Sequence, residues 1–104
     1  MSVGVDDPPS PLTGQRLEQN VPNPFNPSTR IAFELSAPAH VSLRIYDAAG
    51  RFVRALVEGN RPAGIYSEMW DGRDSNGRAV ASGVYFYRIV AGPFESTKKM
   101  ILLR

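Results

Sequence analysis

The chain has no cysteine in its 104 residues, which excludes disulfides, zinc–thiolate sites and thiol nucleophiles together. Histidine is almost as scarce. His40 is the only one, and with no second histidine and no cysteine neither a zinc site nor a triad is assembled around it. Lysine is limited to Lys98 and Lys99, against ten arginines. Those arginines are scattered among ten acids, for a formal net charge of only +2. Such mixing describes a solvated surface, not a phosphate-tracking stripe, so no nucleic-acid partner is expected. No apolar run approaches the length of a membrane span, so no membrane insertion is expected. Residues 1–14 carry no signal-peptide core, and an export signal, if one is used, is expected upstream of this sequence.

What is present is turn-forming residues and short apolar runs. Nine glycines and nine prolines accompany a 42% hydrophobic fraction, which suits one domain with a single core. Residues 1–15 read as a Pro-rich flexible linker, because Asp6-Asp7-Pro8-Pro9-Ser10-Pro11 can bury almost no apolar area. The folded domain is expected over residues 16–104. It opens on Val21-Pro22-Asn23-Pro24-Phe25-Asn26-Pro27, where proline fixes φ and withholds a donor. This reads as a rigid strap anchored in the core by Phe25; a proline-rich recognition ligand is the competing reading.

Six strand-like runs follow. Residues 30–35 place Ile31, Phe33 and Leu35 on one face, and residues 40–47 do the same with Val41, Leu43 and Ile45. Ala48-Ala49-Gly50 makes a short hairpin turn into residues 51–58. There Phe52, Val53, Leu56 and Val57 fit neither period, which leaves a bulged strand or a helical turn, the hairpin favouring the strand. Residues 59–64 read as a loop, and residues 65–71, 84–91 and 94–103 as the remaining strands. Short strands with a turn signal every ten residues or so make the fold class all-β, an immunoglobulin-like antiparallel β-sandwich of about seven strands.

The joint between the fourth and fifth runs is the most informative stretch: Trp70-Asp71-Gly72-Arg73-Asp74-Ser75-Asn76-Gly77, then Ala81-Ser82-Gly83-Val84-Tyr85-Phe86-Tyr87. Trp70 at a strand end reads as a core anchor in preference to a sugar-stacking platform. Asp71, Asp74 and Asn76 suit side-chain-capped turns better than a calcium loop, which needs alternating oxygens and a closing glutamate. Ser82 lacks a nucleophile-elbow glycine two places before it. Glu34, Glu58, Glu68 and Glu95 are dispersed, all but Glu68 placed on outer faces or loops, and none suggests an acid–base pair. The expectation is a chain that is not an enzyme and binds no cofactor. On the fifth run Tyr85, Tyr87 and Ile89 share a face, leaving Phe86 and Arg88 opposite as a docking patch or a half-covered surface. Lys98 and Lys99 read either as gatekeepers of an apolar edge strand or as part of a strand presented to a receptor.

Six motifs stand in order along the chain: Pro22-Asn23-Pro24-Phe25-Asn26-Pro27, Tyr46-Asp47 with Gly50-Arg51, Pro62-Ala63-Gly64-Ile65-Tyr66, Trp70-Asp71-Gly72-Arg73-Asp74, Ala81-Ser82-Gly83-Val84-Tyr85-Phe86-Tyr87, and Lys98-Lys99-Met100-Ile101-Leu102-Leu103-Arg104. Together they resemble the type A C-terminal sorting domain of the type IX secretion system, and equally the related immunoglobulin-like module of the flagellar hook-capping protein. The sorting-domain resemblance implies a non-catalytic C-terminal domain that directs an attached upstream cargo through the outer membrane to the cell surface or medium, by way of the periplasm. Its implied partners are the outer-membrane translocon and a sortase-like peptidase. The residues that resemblance assigns to recognition are Pro62, Gly64, Tyr66, Gly83, Tyr85, Lys98, Lys99 and Arg104, with Phe25 and Trp70 as anchors. Glu68 stands where the family usually has an apolar residue, and Arg104 where lysine is commoner. The alternative is a structural spacer or assembly module of a multidomain extracellular or hook-cap-like protein, with edge-strand self-association. A carbohydrate-binding module would need a planar row drawn from Trp70, Tyr46, Tyr66 and Phe86.

Overall fold

A computed structural model describes residues 14–104. The linker expected over residues 1–15 lies outside the described residues except for its last two. Seven strands are present: β1 (Arg16–Leu17), β2 (Thr29–Leu35), β3 (Ala39–Asp47), β4 (Phe52–Arg61), β5 (Gly64–Trp70), β6 (Gly83–Ala91) and β7 (Phe94–Leu102). They form two antiparallel sheets, one ordered β1-β2-β5 and the other β4-β3-β6-β7. The architecture is an immunoglobulin-like β-sandwich.

Alternation builds the core. Successive strand side chains point to opposite faces, so Ile31, Phe33 and Leu35 of β2 face Val41, Leu43 and Ile45 of β3 and Tyr87 and Ile89 of β6, all buried. Each such side chain contributes about 1.5–3 kcal/mol by leaving water. Trp70 ends β5 fully buried, 5.7 Å from the Phe25 ring and 5.3 Å from Tyr85 in an edge contact. It is therefore a core aromatic and offers no sugar-stacking platform.

The irregular third run is β4, and its irregularity has a simple cause. Leu43 pairs with Val57 but Arg44 with Ala55, so Leu56 is an extra residue; Ile45 pairs with Arg54 but Tyr46 with Phe52, so Val53 is another. Each extra residue is a bulge that reverses the facing of the residues around it. Leu56 and Val57, adjacent in sequence, thereby both pack against the core, which strict alternation does not allow. β4 also runs on to Arg61, pairing with Ala39, through residues 59–61 that read as loop from sequence.

Two further differences arise from distant pairing. β1 is only two residues long, too short for any period to mark, and is held by Arg16↔Glu34 and Leu17↔Phe33. Glu34, expected on an open outer face, is buried: Arg16 lies across it and donates to its Oε1 at 2.8 Å.

Candidate interaction surface

The strap over residues 19–27 is seated by polar groups as well as by Phe25. The Tyr87 hydroxyl donates to the Glu18 carbonyl at 2.7 Å and accepts from the Asn20 N–H at 2.8 Å. Burial of that hydroxyl pushes the Tyr87 pKa up to about 12. Buried Asn20 donates to the Pro22 carbonyl and to Thr29 Oγ1. The strap then runs along the outer edge of β7. Phe25 N–H donates to the Ile101 carbonyl at 3.0 Å, Leu103 N–H to the Phe25 carbonyl at 2.9 Å, and Ile101 N–H to Asn23 Oδ1 at 3.0 Å. Gln19 Nε2 reaches the Lys99 carbonyl at 2.8 Å. Asn23 and Phe25 thus cover backbone groups that a bare edge strand leaves open to any other strand.

Six of the eight candidate recognition residues fall into two groups at opposite ends of the sandwich, and Lys98 and Lys99 lie between them on β7. At one end β6 opens on Gly83-Val84-Tyr85, and the Tyr85 hydroxyl donates back to the Ala81 carbonyl at 2.7 Å. Burial, and then the charge of Asp47, raise the Tyr85 pKa. Arg104 docks at this end: its N–H donates to Ser82 Oγ at 2.9 Å, its Nε to the Val80 carbonyl and a terminal nitrogen to the Gly72 carbonyl, both at 2.6 Å. Gly72 has φ +75°, and a Cβ there would stand 2.7 Å from that guanidinium and 3.0 Å from the Pro27 carbonyl. The Asp71–Asn76 turn completes the end. Asp74 Oδ1 accepts from the N–H groups of Asn76 and Arg78 at 2.9 and 3.0 Å, and Trp70 Nε1 donates to the Arg73 carbonyl at 2.9 Å. These bonds are the side-chain-capped turns that Asp and Asn favour.

At the other end Pro62, Gly64 and Tyr66 repeat the device. The Tyr66 hydroxyl donates to the Pro62 carbonyl at 2.6 Å, and its ring stacks on Phe33 at 5.1 Å. Both tyrosines sit two residues after a glycine and reach the carbonyl four residues back, the logic of a tyrosine corner. The repeated Gly-Ile-Tyr and Gly-Val-Tyr were readable as a pair, and sequence reasoning did not draw that pairing. An open cleft of about 450 Å³ lies beside this end, lined by Pro38, Ala39, His40, Asn60, Arg61 and Pro62.

Between the two ends lies the outer face of the four-stranded sheet. Phe52, Tyr46, Phe86 and Lys99 occupy successive strands in one cross-strand row. Phe52 is half-exposed, and Tyr46 meets it edge-on at 6.2 Å. The Arg44 guanidinium lies 5.8 Å from the Phe52 ring, within cation–π range. Arg44 and Arg88 pair across β3 and β6 and are held by Glu58 and Glu95 respectively. The Arg44 guanidinium in turn holds the Glu58 carboxyl below the usual range. Phe86 and Arg88 do lie opposite the core-facing Tyr85, Tyr87 and Ile89, as the alternation implied. Phe52 was missed because the bulges at Val53 and Leu56 hide its facing. Of the residues proposed for a sugar platform, Tyr46 and Phe86 share this row, whereas Trp70 is in the core and Tyr66 stacks inward on Phe33. Lys98 and Lys99 are β7 neighbours of Tyr87 and Phe86.

The matching family model is that of the FlgD Ig-like domain, over residues 19–92. The basal-body rod modification protein FlgD of Salmonella typhimurium is 38% identical over 81 residues, 77% of this chain. The chain spans about a third (34%) of the length of the curated relatives it matches. Among solved structures, FlgD from Xanthomonas campestris, described in connection with hook capping in flagellar assembly, has TM-score 0.58 and 26% identity over 85% of this chain and 66% of that one. Dimeric latent PorU of Porphyromonas gingivalis has TM-score 0.68 at 22% identity, over 86% of this chain and 9% of that one. PorZ, a surface component of the type-IX secretion system of the same organism, has TM-score 0.58 at 24% identity, over 89% and 12%. At such identities the last two likenesses are of fold alone.

Proposed function

The chain belongs to the FlgD Ig-like domain family, and from that premise we propose that it is a non-catalytic assembly module. It seats neighbouring domains or subunits of a multidomain extracellular or hook-cap-like protein, and its partners are proteins. The observation that carries this reading is the 38% identity to a basal-body rod modification protein across 77% of the chain. The geometry supports it. The polar side chains at both ends brace backbone: Tyr66, Tyr85, Tyr87, Asp74 and Arg104 each bond main-chain groups. The aromatic row with its arginines remains as a face of the type that protein interfaces favour.

A second reading is the sorting domain, favoured by the ordered motifs that end in Lys98, Lys99 and Arg104. In-frame deletion of residues 16–104 from the native gene, followed by fractionation and assembly assays, separates the two. An assembly module leaves the truncated protein exported but unincorporated. A sorting domain leaves it in the periplasm. Wild-type export together with wild-type assembly overturns both.

A further inference from the structure

We propose that a second copy of this chain pairs with the free half of the β7 edge, antiparallel, about a two-fold axis at Thr97. This goes beyond the assembly reading and does not depend on it.

The strap fixes which half is free. Its bonds to the Lys99 carbonyl, to both backbone groups of Ile101 and to Leu103 N–H show that the odd-numbered residues of β7 direct their backbone groups outward. By the two-residue repeat of a strand, Glu95 and Thr97 point the same way. The N–H and C=O of Glu95 and Thr97, and the N–H of Lys99, have no hydrogen-bond partner among the described residues. The exposed edge therefore runs from Phe94 to Lys99 and stops where Gln19 and Asn23 begin. A partner strand must also end there, and β7 does: the Gly92-Pro93 turn before Phe94 would lie opposite the strap.

Charge selects the register. With Thr97 opposite Thr97 of the second copy, Glu95 of each copy faces Lys99 of the other, giving two reciprocal ion pairs on the exposed face. Arg88 already holds Glu95 from β6, so each acid would sit between two cations. Moving the axis to Glu95 sets Glu95 against Glu95. Moving it to Lys98 or Lys99 sets lysine against lysine, and moving it to Ser96 forfeits both ion pairs. The two lysines that discourage indiscriminate edge pairing thus admit a strand with an acid at position 95.

Sedimentation equilibrium of the 104-residue chain over a concentration series is the test, with circular dichroism and Trp70 fluorescence confirming the fold. The parent chain is expected to dimerise reversibly in the micromolar-to-millimolar range typical of small interfaces. Lys99→Glu and Glu95→Lys are each expected to weaken self-association about tenfold or more, because each places like charges opposite at two positions. An equimolar mixture of the two variants is expected to restore dimers at the parent affinity, since the reversed pairs then match. Thr97→Pro, which removes an outward N–H and no bond within the sheet, is expected to abolish pairing. The proposal is overturned if the parent stays monomeric to about 1 mM, if Lys99→Glu dimerises like the parent, or if the mixture stays monomeric while the parent does not.

Discussion

Tyr87→Phe tests how the strap is held, through two independent magnitudes. The hydroxyl joins the Glu18 carbonyl and the Asn20 N–H to β6, with heavy-atom distances of 2.7 and 2.8 Å, and the side chain is fully buried. Removing it leaves the buried Asn20 N–H without its acceptor, a loss of about 1–3 kcal/mol, and forfeits a second bond of about 1 kcal/mol. The expected destabilisation is about 2–4 kcal/mol, read from urea unfolding followed by the fluorescence of the lone, buried Trp70. The second magnitude is a pH dependence. Folding raises this pKa from 10.0 to about 12. Above pH 10 the unfolded chain gives up the proton while the folded chain keeps it, so the unfolded state binds fewer protons and stability falls as pH rises. At about 1.4 kcal/mol per unit, this group's contribution is full below pH 10 and is lost by pH 12, about 2–3 kcal/mol in all. The gap between parent and Tyr87→Phe should therefore narrow across that window. Parallel stability–pH curves, or a variant as stable as its parent, would refute the argument that Tyr87 pins the strap.

Three other perturbations follow from the same contacts. Phe25→Ala empties the space against Trp70 and should cost about 3–5 kcal/mol in chemical denaturation, with a red-shifted Trp70 emission as water enters. Gly72→Ala forces an alanine to φ +75° and pushes its Cβ against the Arg104 guanidinium and the Pro27 carbonyl; a loss above about 1 kcal/mol is expected, and an unchanged unfolding midpoint would refute it. Asp47 accepts from the backbone N–H groups of Arg51 and Ala49 in the β3–β4 turn, and the first of these is the main reason its carboxyl lies below the usual range. A lowered folded-state pKa contributes stability that is present above the unfolded value and lost as pH falls. Asp47→Asn should accordingly flatten the acid side of the stability–pH curve, measured below about pH 4.

Most of the scaffold was legible because it obeys local rules. β3 and β6 alternate along their length and β2 does so up to Phe33, and each has one face in the core. Phe25 read as an anchor because it is the one ring among prolines and asparagines, and Trp70 because it ends a strand just before Asp71-Gly72; both are buried. The Ala48-Ala49-Gly50 hairpin was legible from its glycine, which takes φ +85°. What escaped depends on residues far apart in sequence. The bulges at Val53 and Leu56 exist only in relation to β3. The burial of Glu34 requires Arg16, delivered by a two-residue strand. Nothing in Val21-Pro22-Asn23-Pro24-Phe25 announces that Asn23 and Phe25 will satisfy Ile101 and Leu103, nearly a chain length away.

That long-range closure bears on how a domain of this size presents surface without aggregating. A sandwich of two open sheets has edges, and edges pair. Here the strap is an extended segment with its register set by one side chain, Asn23, and one buried ring, Phe25. It satisfies β7 from the Lys99 carbonyl to Leu103 and leaves the part that begins at Glu95. The prolines that keep the strap from becoming a full strand also keep its own outer side from templating another, since each removes a donor. At β7 the chain thereby retains a short, charge-coded length of edge in place of a longer one, beside the edges formed by β4 and β5. The two tyrosine corners hold the turns at either end against the sheets, so the face between them stays in fixed register. The assembly role proposed for this domain would need this combination: surfaces open enough to be used, and too restricted in length and charge to be used by the wrong partner.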